Sequence, residues 1–344
     1  MYYVWEQWLI LFFVYAAIGW VWESLYVSAK ERAWVNRGFL NGPILPIYGF
    51  GAVIILFLTL PVSKNIFLVF LFGMTGATAL ELATGFVMEQ IFKVRYWDYS
   101  QKHFNLCGYI CLYASLGWGV FSVILVRFVH PFADGIVRSI PMVWLKPVSN
   151  IFMILFVADT VLSVRNALDM KELLSKVTEN NRLVNSVKSK LEDSASAVRE
   201  KTAGIAEYLK TFEDDRKKFK EQLSQKSREY RSKPKLFALK LRENKEARSG
   251  ILETVYKKID SAVEEAYCEL QSCTDEEGKA KLRRNIEALN EIKHDIKRIE
   301  INVLTRKNKD YERAARMVMR NPSSASARFK DAFSEIKGMI LKRR

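Results

Sequence analysis

Five apolar runs crowd into the first half of the chain, near 7–28, 43–62, 65–90, 106–129 and 148–164. A helix crosses the hydrocarbon core of a bilayer with about 20 apolar residues. Runs of that length, one after another, are read as a helical membrane domain. The segment 131–147 is shorter and is broken by Pro131, Pro141 and Pro147. It reads as a re-entrant or interfacial piece, or as a sixth short span. No Lys or Arg precedes the first run and no clear small-residue cleavage site follows it, so it is expected to be a retained anchor and not a removed signal.

A mean hydropathy of −0.04 hides this division because the other half is so polar. Residues 1–165 carry 11 Lys+Arg and 8 Asp+Glu, a net charge of about +3. Residues 166–344 carry 42 and 30, a net charge of about +12, and all eight Trp lie before residue 145. The break marks a boundary near residue 165. Loop 29–42 holds Lys30, Arg32 and Arg37, and loop 91–105 holds Lys93, Arg95 and Lys102, so the positive-inside rule puts both in the cytoplasm. Five spans then place the N-terminus outside and the tail inside. Four cysteines, in two pairs that fall in different halves, are expected to be reduced thiols.

In the second half an apolar or aromatic residue recurs every seven positions: Met170, Val177, Val184, Leu191, Val198, Ile205, Phe212 and Phe219. That spacing predicts a long amphipathic or coiled-coil helix over 166–232, able to self-associate. Its companion position is half polar (Asn180, Ser194, Lys201, Asp215), so packing as one helix of a bundle is the equal alternative. Two further apolar faces, Ile251 to Leu270 and Leu282 to Val303, flank C-T-D-E-E-G at 273–278 and predict a helical hairpin over 246–308. Asn321-Pro322-Ser323-Ser324 breaks the chain. A basic amphipathic helix over 322–344 is expected next, with Phe329, Phe333, Ile336 and Ile340 on one face and Lys330, Lys337, Lys342, Arg343 and Arg344 elsewhere. It is expected to dock on the bundle, with an anionic lipid surface as the alternative. Acidic residues interleave the basic ones throughout, so no nucleic-acid partner is expected.

Carboxylates inside a span need a reason. Glu23 lies near the end of the first run, Glu81 sits mid-span in T-A-L-E-L-A-T-G, and Glu89 is two turns further along the same face. They suggest a proton, cation or polar-substrate path. The structural alternative gives Glu81 a partner such as Arg37. Asp159, near the exit of the last run, reads as structural. The stretch N-R-G-F-L-N-G-P-I-L-P-I-Y-G, 36–49, sets Asn36, Arg37 and Asn41 beside Gly42, Pro43, Pro46 and Gly49 at the start of the second run. Prolines there break the helix, and glycines allow a helix or ligand to approach closely. Broken-helix binding sites in transporters are built this way. Asp98, in Y-W-D-Y-S, is expected to pair with Arg37, and Asn105 follows it in the same loop. His103, Cys107 and Cys111 recur every fourth residue, but on a straight helix they cannot meet one ion, so no metal is expected. No phosphate-binding loop, Ser–His pair or H-E-x-x-H occurs, so neither enzymatic activity nor a cofactor is expected, and an intramembrane lipid enzyme is the least favoured reading.

G-W-V-W-E at 19–23, N-R-G-F-L-N-G-P at 36–43, P-I-Y-G at 46–49, W-D-Y-S at 97–100 and N-L-C-G-Y-I-C-L at 105–112 together resemble the bacterial family called "Putative ABC-transporter type IV", or CmpB-like. The resemblance covers about residues 5–165. It implies a multipass protein of the bacterial inner membrane, a permease partner of a separate ATPase subunit. A membrane-anchored scaffold, recruiting cytoplasmic or envelope proteins through its tail, is the alternative. The fold expected is all-α: five spans, with 131–147 as a candidate sixth, and a cytoplasmic helical tail.

Overall fold

A computed structural model describes residues 3–193, scattered positions between 207 and 225, 234–305 and 308–340. Among these the chain is almost wholly helical. Strand pairing among the described residues is a hairpin of β1 (Asn105–Leu106) with β2 (Ile110–Cys111) and an isolated antiparallel bridge between Arg95 and Ala325. Two compact units form: Met1–Leu168 with Met317–Arg328, and Asp169–Arg316 with Phe329–Arg344.

The first unit holds α1 (Trp5–Glu31), α2 (Pro46–Thr59, extended by a 3-10 turn at Leu60–Val62), α3 (Ile66–Phe92), α4 (Leu112–Ile124), α5 (His130–Ser139) and the first part of α6 (Met142–Asp193). A π-helical turn at Leu125–Val129 joins α4 to α5. Among the described residues four stretches are long and apolar enough to cross a membrane: Trp5–Glu31, Ile66–Phe92, Leu112–Ser139 and Met142–Leu191. Pro46–Val62 is apolar but shorter. Side chains such as Phe67, Phe128, Ile154 and Leu155 stay exposed on these helices, a surface that fits lipid and not water.

Three boundaries differ from the sequence reading. The second run does not begin as helix at 43. Pro46 is the first helical residue, where its fixed φ and missing N–H suit the position, and Leu45 before it is extended. The fourth run does not begin at 106, because residues 105–111 form the hairpin and Gly108 turns it at φ +75°. Nor is 131–147 a separate piece. Residues 131–139 prolong the fourth stretch, and the chain turns at Ile140, extended at ψ 122°, before α6 begins at Met142.

The core of this unit gathers Ile10, Leu11, Tyr15, Ile55, Leu56, Val69 and Ala77. Asn65 caps α3 by accepting from the backbone N–H groups of Phe67 and Leu68. Helices α1 and α2 touch closely at two glycines. A Cβ on Gly19 would lie 2.3 Å from Tyr48 Cγ, and one on Gly49 would lie 2.7 Å from the Phe12 carbonyl oxygen. The first contact seats Tyr48 against the half of α1 that carries Glu23.

In the second unit α7 (Pro234–Ser272) and α8 (Glu276–Leu304) form a hairpin, with Asp275 capping α8 through the Glu277 and Gly278 amides. Val255, Ile259, Ala262 and Val263 of α7 meet Leu289, Ile292, Ile296 and Ile299 of α8. Leu183, Val184, Val187 and Leu191 of α6 complete that core. Val184 and Leu191 of the seven-residue stripe thus pack in a three-helix core. Val198, Ile205 and Phe212 of the expected 166–232 helix lie outside the described residues. Helix α9 spans Asn308–Arg320 and α10 spans Lys330–Ile340. Phe333 and Ile336 of α10 are buried; Lys342, Arg343 and Arg344 lie outside the described residues.

Candidate functional site

The site begins at the broken entry to α2. The Leu45 N–H donates to the Ala16 carbonyl at 2.9 Å, and Ala16 lies near the middle of α1. The extended segment before Pro46 therefore reaches the mid-depth of a helix long enough to span. Backbone groups freed there must find partners. Asp159 of α6 supplies them. Its carboxylate accepts from the Gly42 N–H at 2.7 Å, the Asn41 N–H at 3.1 Å, Asn41 Nδ2 at 2.7 Å and the Ser163 hydroxyl at 3.3 Å. Three of these donors fall on Oδ1 and the Gly42 amide on Oδ2, so Asp159 is the anchor of the break.

Above the break, Glu23 of α1 faces Arg37 at 3.5 Å and accepts from the Tyr48 hydroxyl at 2.8 Å. Trp20 Nε1 donates to Asn36 Oδ1 at 2.7 Å, and Asn36 Nδ2 donates to the Asn41 carbonyl at 3.0 Å. The Ser24 and Ser28 hydroxyls accept from the Arg37 and Val35 amides, tying the loop down along α1. Arg37 Nη1 also donates to Asn321 Oδ1 at 2.6 Å.

Glu81 of α3 is 5% exposed. It accepts from the Tyr99 hydroxyl at 3.1 Å and from Trp118 Nε1 at 2.9 Å. No Lys, Arg or His pairs with it among the described residues. The Trp118 ring lies 5.5 Å from the Tyr48 ring, centroid to centroid, so an aromatic contact connects the Glu81 and Glu23 clusters. Burial first, then the charge and hydrogen bond of Glu81, push the Tyr99 phenol upward, so Tyr99 remains a donor.

A separate cluster closes the other loop. Arg95 Nε donates to Glu89 Oε2 at 2.6 Å, and its guanidinium lies over the Tyr109 ring and 3.7 Å from Asp98. The Tyr109 hydroxyl donates to the same Glu89 oxygen at 2.6 Å. Burial alone would lower the Arg95 pKa, but the hydrogen bond and charge of Glu89 outweigh it and raise it. The hydrogen bond to Glu89, then burial, raises Tyr109. Asp98 accepts from the Ser100 amide and hydroxyl, while Asn105 accepts from the Gly108 amide and donates to the Lys102 carbonyl.

Residues 10–164 match the family described as "Putative ABC-transporter type IV". No curated protein and no solved structure matches the chain. The family match takes in the broken entry to α2, both glutamate clusters and the Arg95 cluster; Asn321 lies outside it.

Within this family segment Glu23, Asn36 and Arg37 stand together, Glu81 joins them through aromatic rings, and Asn41 belongs to the Asp159 anchor. Two expected pairs do not form. Arg37 meets Glu23 and Asn321, not Glu81 or Asp98, because Ser24 holds its backbone beside α1. Asp98 meets Arg95 three residues before it, so Glu89, Asp98 and Asn105 organise the loop and do not join Arg37. His103 and Cys107 sit on the turn and hairpin region and not on one helix, and no three His, Cys, Asp or Glu converge on a metal position among the described residues. Sequence reasoning missed Tyr48, Tyr99, Trp118 and Arg95 as members of these clusters. The signal was an aromatic or Arg beside each quoted motif, which an interfacial belt explains equally well.

Proposed function

We propose that the chain is the permease-type membrane subunit of a transporter. Its polar path runs from the Glu23–Arg37 mouth to Glu81, and a separate ATPase subunit supplies the energy. The family segment supports a transporter-related membrane protein. The observation that carries the path is Glu81: a carboxylate inside an apolar helix, held by two neutral donors and no fixed cation. A purely structural acid at that depth is normally paired. One with neutral partners can take up a proton or exchange a partner for a cationic or polar substrate group at little cost. The broken start of α2, anchored by Asp159, supports the same reading, since irregular backbone at membrane depth is tolerated where it lines a cavity or is covered by protein. The basic loops 29–42 and 91–105 favour a cytoplasmic mouth in the cell membrane.

The test is complementation of a strain deleted for this chain. Glu81→Gln should abolish rescue at unchanged membrane abundance, and co-purification in mild detergent should bring down a stoichiometric ATPase. Full rescue by Glu81→Gln refutes the path. A second reading, a membrane-anchored scaffold, draws support from the separate core of the second unit. Under it Glu81→Gln is silent and removal of residues 170–344 abolishes rescue.

A further inference from the structure

The mouth has a wall that the membrane helices do not provide. Met317–Arg328 returns to the first unit with the neighbouring segments on both sides in the second unit, and Asn321 meets Arg37 across a sequence separation of 284. Asn321 is 2% exposed. Its Oδ1 accepts from Arg37, and its Nδ2 donates to the Gly38 and Met317 carbonyls, each at 3.2 Å. The Arg320 carbonyl accepts from Arg37 at 3.4 Å, and Arg320 Nη1 donates to the Leu40 carbonyl at 3.3 Å. On the other loop, Arg95 and Ala325 exchange both backbone hydrogen bonds, at 2.7 and 3.0 Å. The Ser326 hydroxyl donates to the Lys93 carbonyl at 2.6 Å and Ser323 to the Tyr96 carbonyl at 3.4 Å. One short strap thus ties loop 36–40 to loop 93–96. Apart from Met317, which packs beside Phe92 and Tyr96, the attachment is mostly polar. Segments held this way open locally without unfolding the helices beneath them.

We propose that residues 320–326 are a releasable clamp that regulates the Glu23–Arg37 mouth. The proposal rests on reading that mouth as the functional site. Seated, Asn321 fixes the Arg37 guanidinium beside Glu23 and joins the two loops. Released, Arg37 loses both acceptors on the strap and the two loops separate. The chain on either side of the strap belongs to the second unit, so a partner that pulls on that unit works the clamp.

The test is hydrogen–deuterium exchange at residue resolution on the full-length protein in lipid nanodiscs. The reference amides are Tyr99 and Tyr109, which bond within loop 93–111 to the Gly108 and Leu106 carbonyls and do not touch the strap. The Arg95 and Ala325 amides should exchange together, about ten-fold faster than the references or more. Asn321→Ala removes a hydrogen bond to a charged group and should speed Arg95 and Ala325 by roughly a further ten-fold or more, leaving the references unchanged. Asn321→Asp keeps an acceptor for Arg37 but loses the two bonds that Nδ2 gives to the Gly38 and Met317 carbonyls, so it should exchange faster than wild type and more slowly than Ala. Asn321→Ala should also change complementation at least two-fold at equal membrane abundance. Exchange of Arg95 and Ala325 only in step with the references overturns the clamp. So does loosening of the references in Asn321→Ala, an Asp variant that behaves like Ala, or unaltered complementation. Exchange does not depend on transport, so a failed clamp and a failed Glu81 reading are told apart.

Discussion

Replacing Asp159 by alanine tests the broken entry to α2 most directly. The change removes the acceptor for two backbone amides, those of Asn41 and Gly42, and for the Asn41 side chain, which retains Ser163 Oγ at 3.0 Å. A buried donor left without a partner costs about 1–3 kcal/mol, and more where the lost acceptor was charged. With two backbone amides orphaned and one side chain half-satisfied, the loss is about 3–5 kcal/mol. For a unit of this size, each kcal/mol lowers the melting temperature by about 2–4 °C. Asp159→Ala should therefore melt about 8–15 °C lower. Asp159→Asn keeps one carbonyl oxygen facing the same amides and should lose less than half as much. With Cys268 and Cys273 of the second unit replaced by serine, a thiol-reactive fluorophore in detergent gives a constant signal from the exposed Cys107 and an unfolding signal from the buried Cys111. A shift under about 2 °C for Asp159→Ala, or equal shifts for both variants, would refute the anchor.

Gly49→Leu should destabilise the first unit by about 1–3 kcal/mol or block its assembly, because the first added carbon already meets the Phe12 ring at 2.6 Å; the same thiol assay reads it. His130→Phe strands the buried Tyr15 hydroxyl, which lies 2.8 Å from His130 Nδ1, and should cost about 1–3 kcal/mol. In the second unit, Ile259→Ala leaves a cavity in a fully enclosed core and should cost about 2–5 kcal/mol, seen as faster proteolysis within 234–305 while the first unit keeps its melting temperature. Arg95→Gln leaves Glu89 with Tyr109 as its donor, and should raise exchange at the Tyr109 amide by several-fold.

Apolar length made the helices legible, and glycine and proline chemistry made the break before α2 legible. What misled was apolar character without helical geometry. Leu106, Tyr109 and Ile110 read as the start of a span, yet Gly108 at positive φ turns them into a hairpin. Conversely, Pro131 reads as a breaker, yet the helix continues through it, with the π-helical turn at Leu125–Val129 directly before it taking up the irregularity. Glu23, Asn36 and Arg37 share one α1-to-loop turn, so their sequence proximity announced the cluster. The partners of Glu81 stand 18 and 37 residues away, and both are aromatic, a residue type that single-sequence reasoning assigns to the bilayer interface. Asn321 offered no signal at all, because a polar break between helices looks like any linker until its distant partner is known.

The strap also sets an order of manufacture. Loops 36–40 and 93–96 leave the ribosome long before Asn321 and Ala325 do. At a synthesis rate of about 5–20 residues per second, roughly 10–45 s separate Tyr96 from Ser326. Throughout that interval Arg37 lacks its Asn321 partner and the backbone edge at Arg95 is unpaired, and for the later part of it, once residue 168 is made, the helices of the membrane unit are complete. A newly made copy therefore stands open before it stands closed, and a message cut short between residue 168 and the strap yields a membrane unit that never closes.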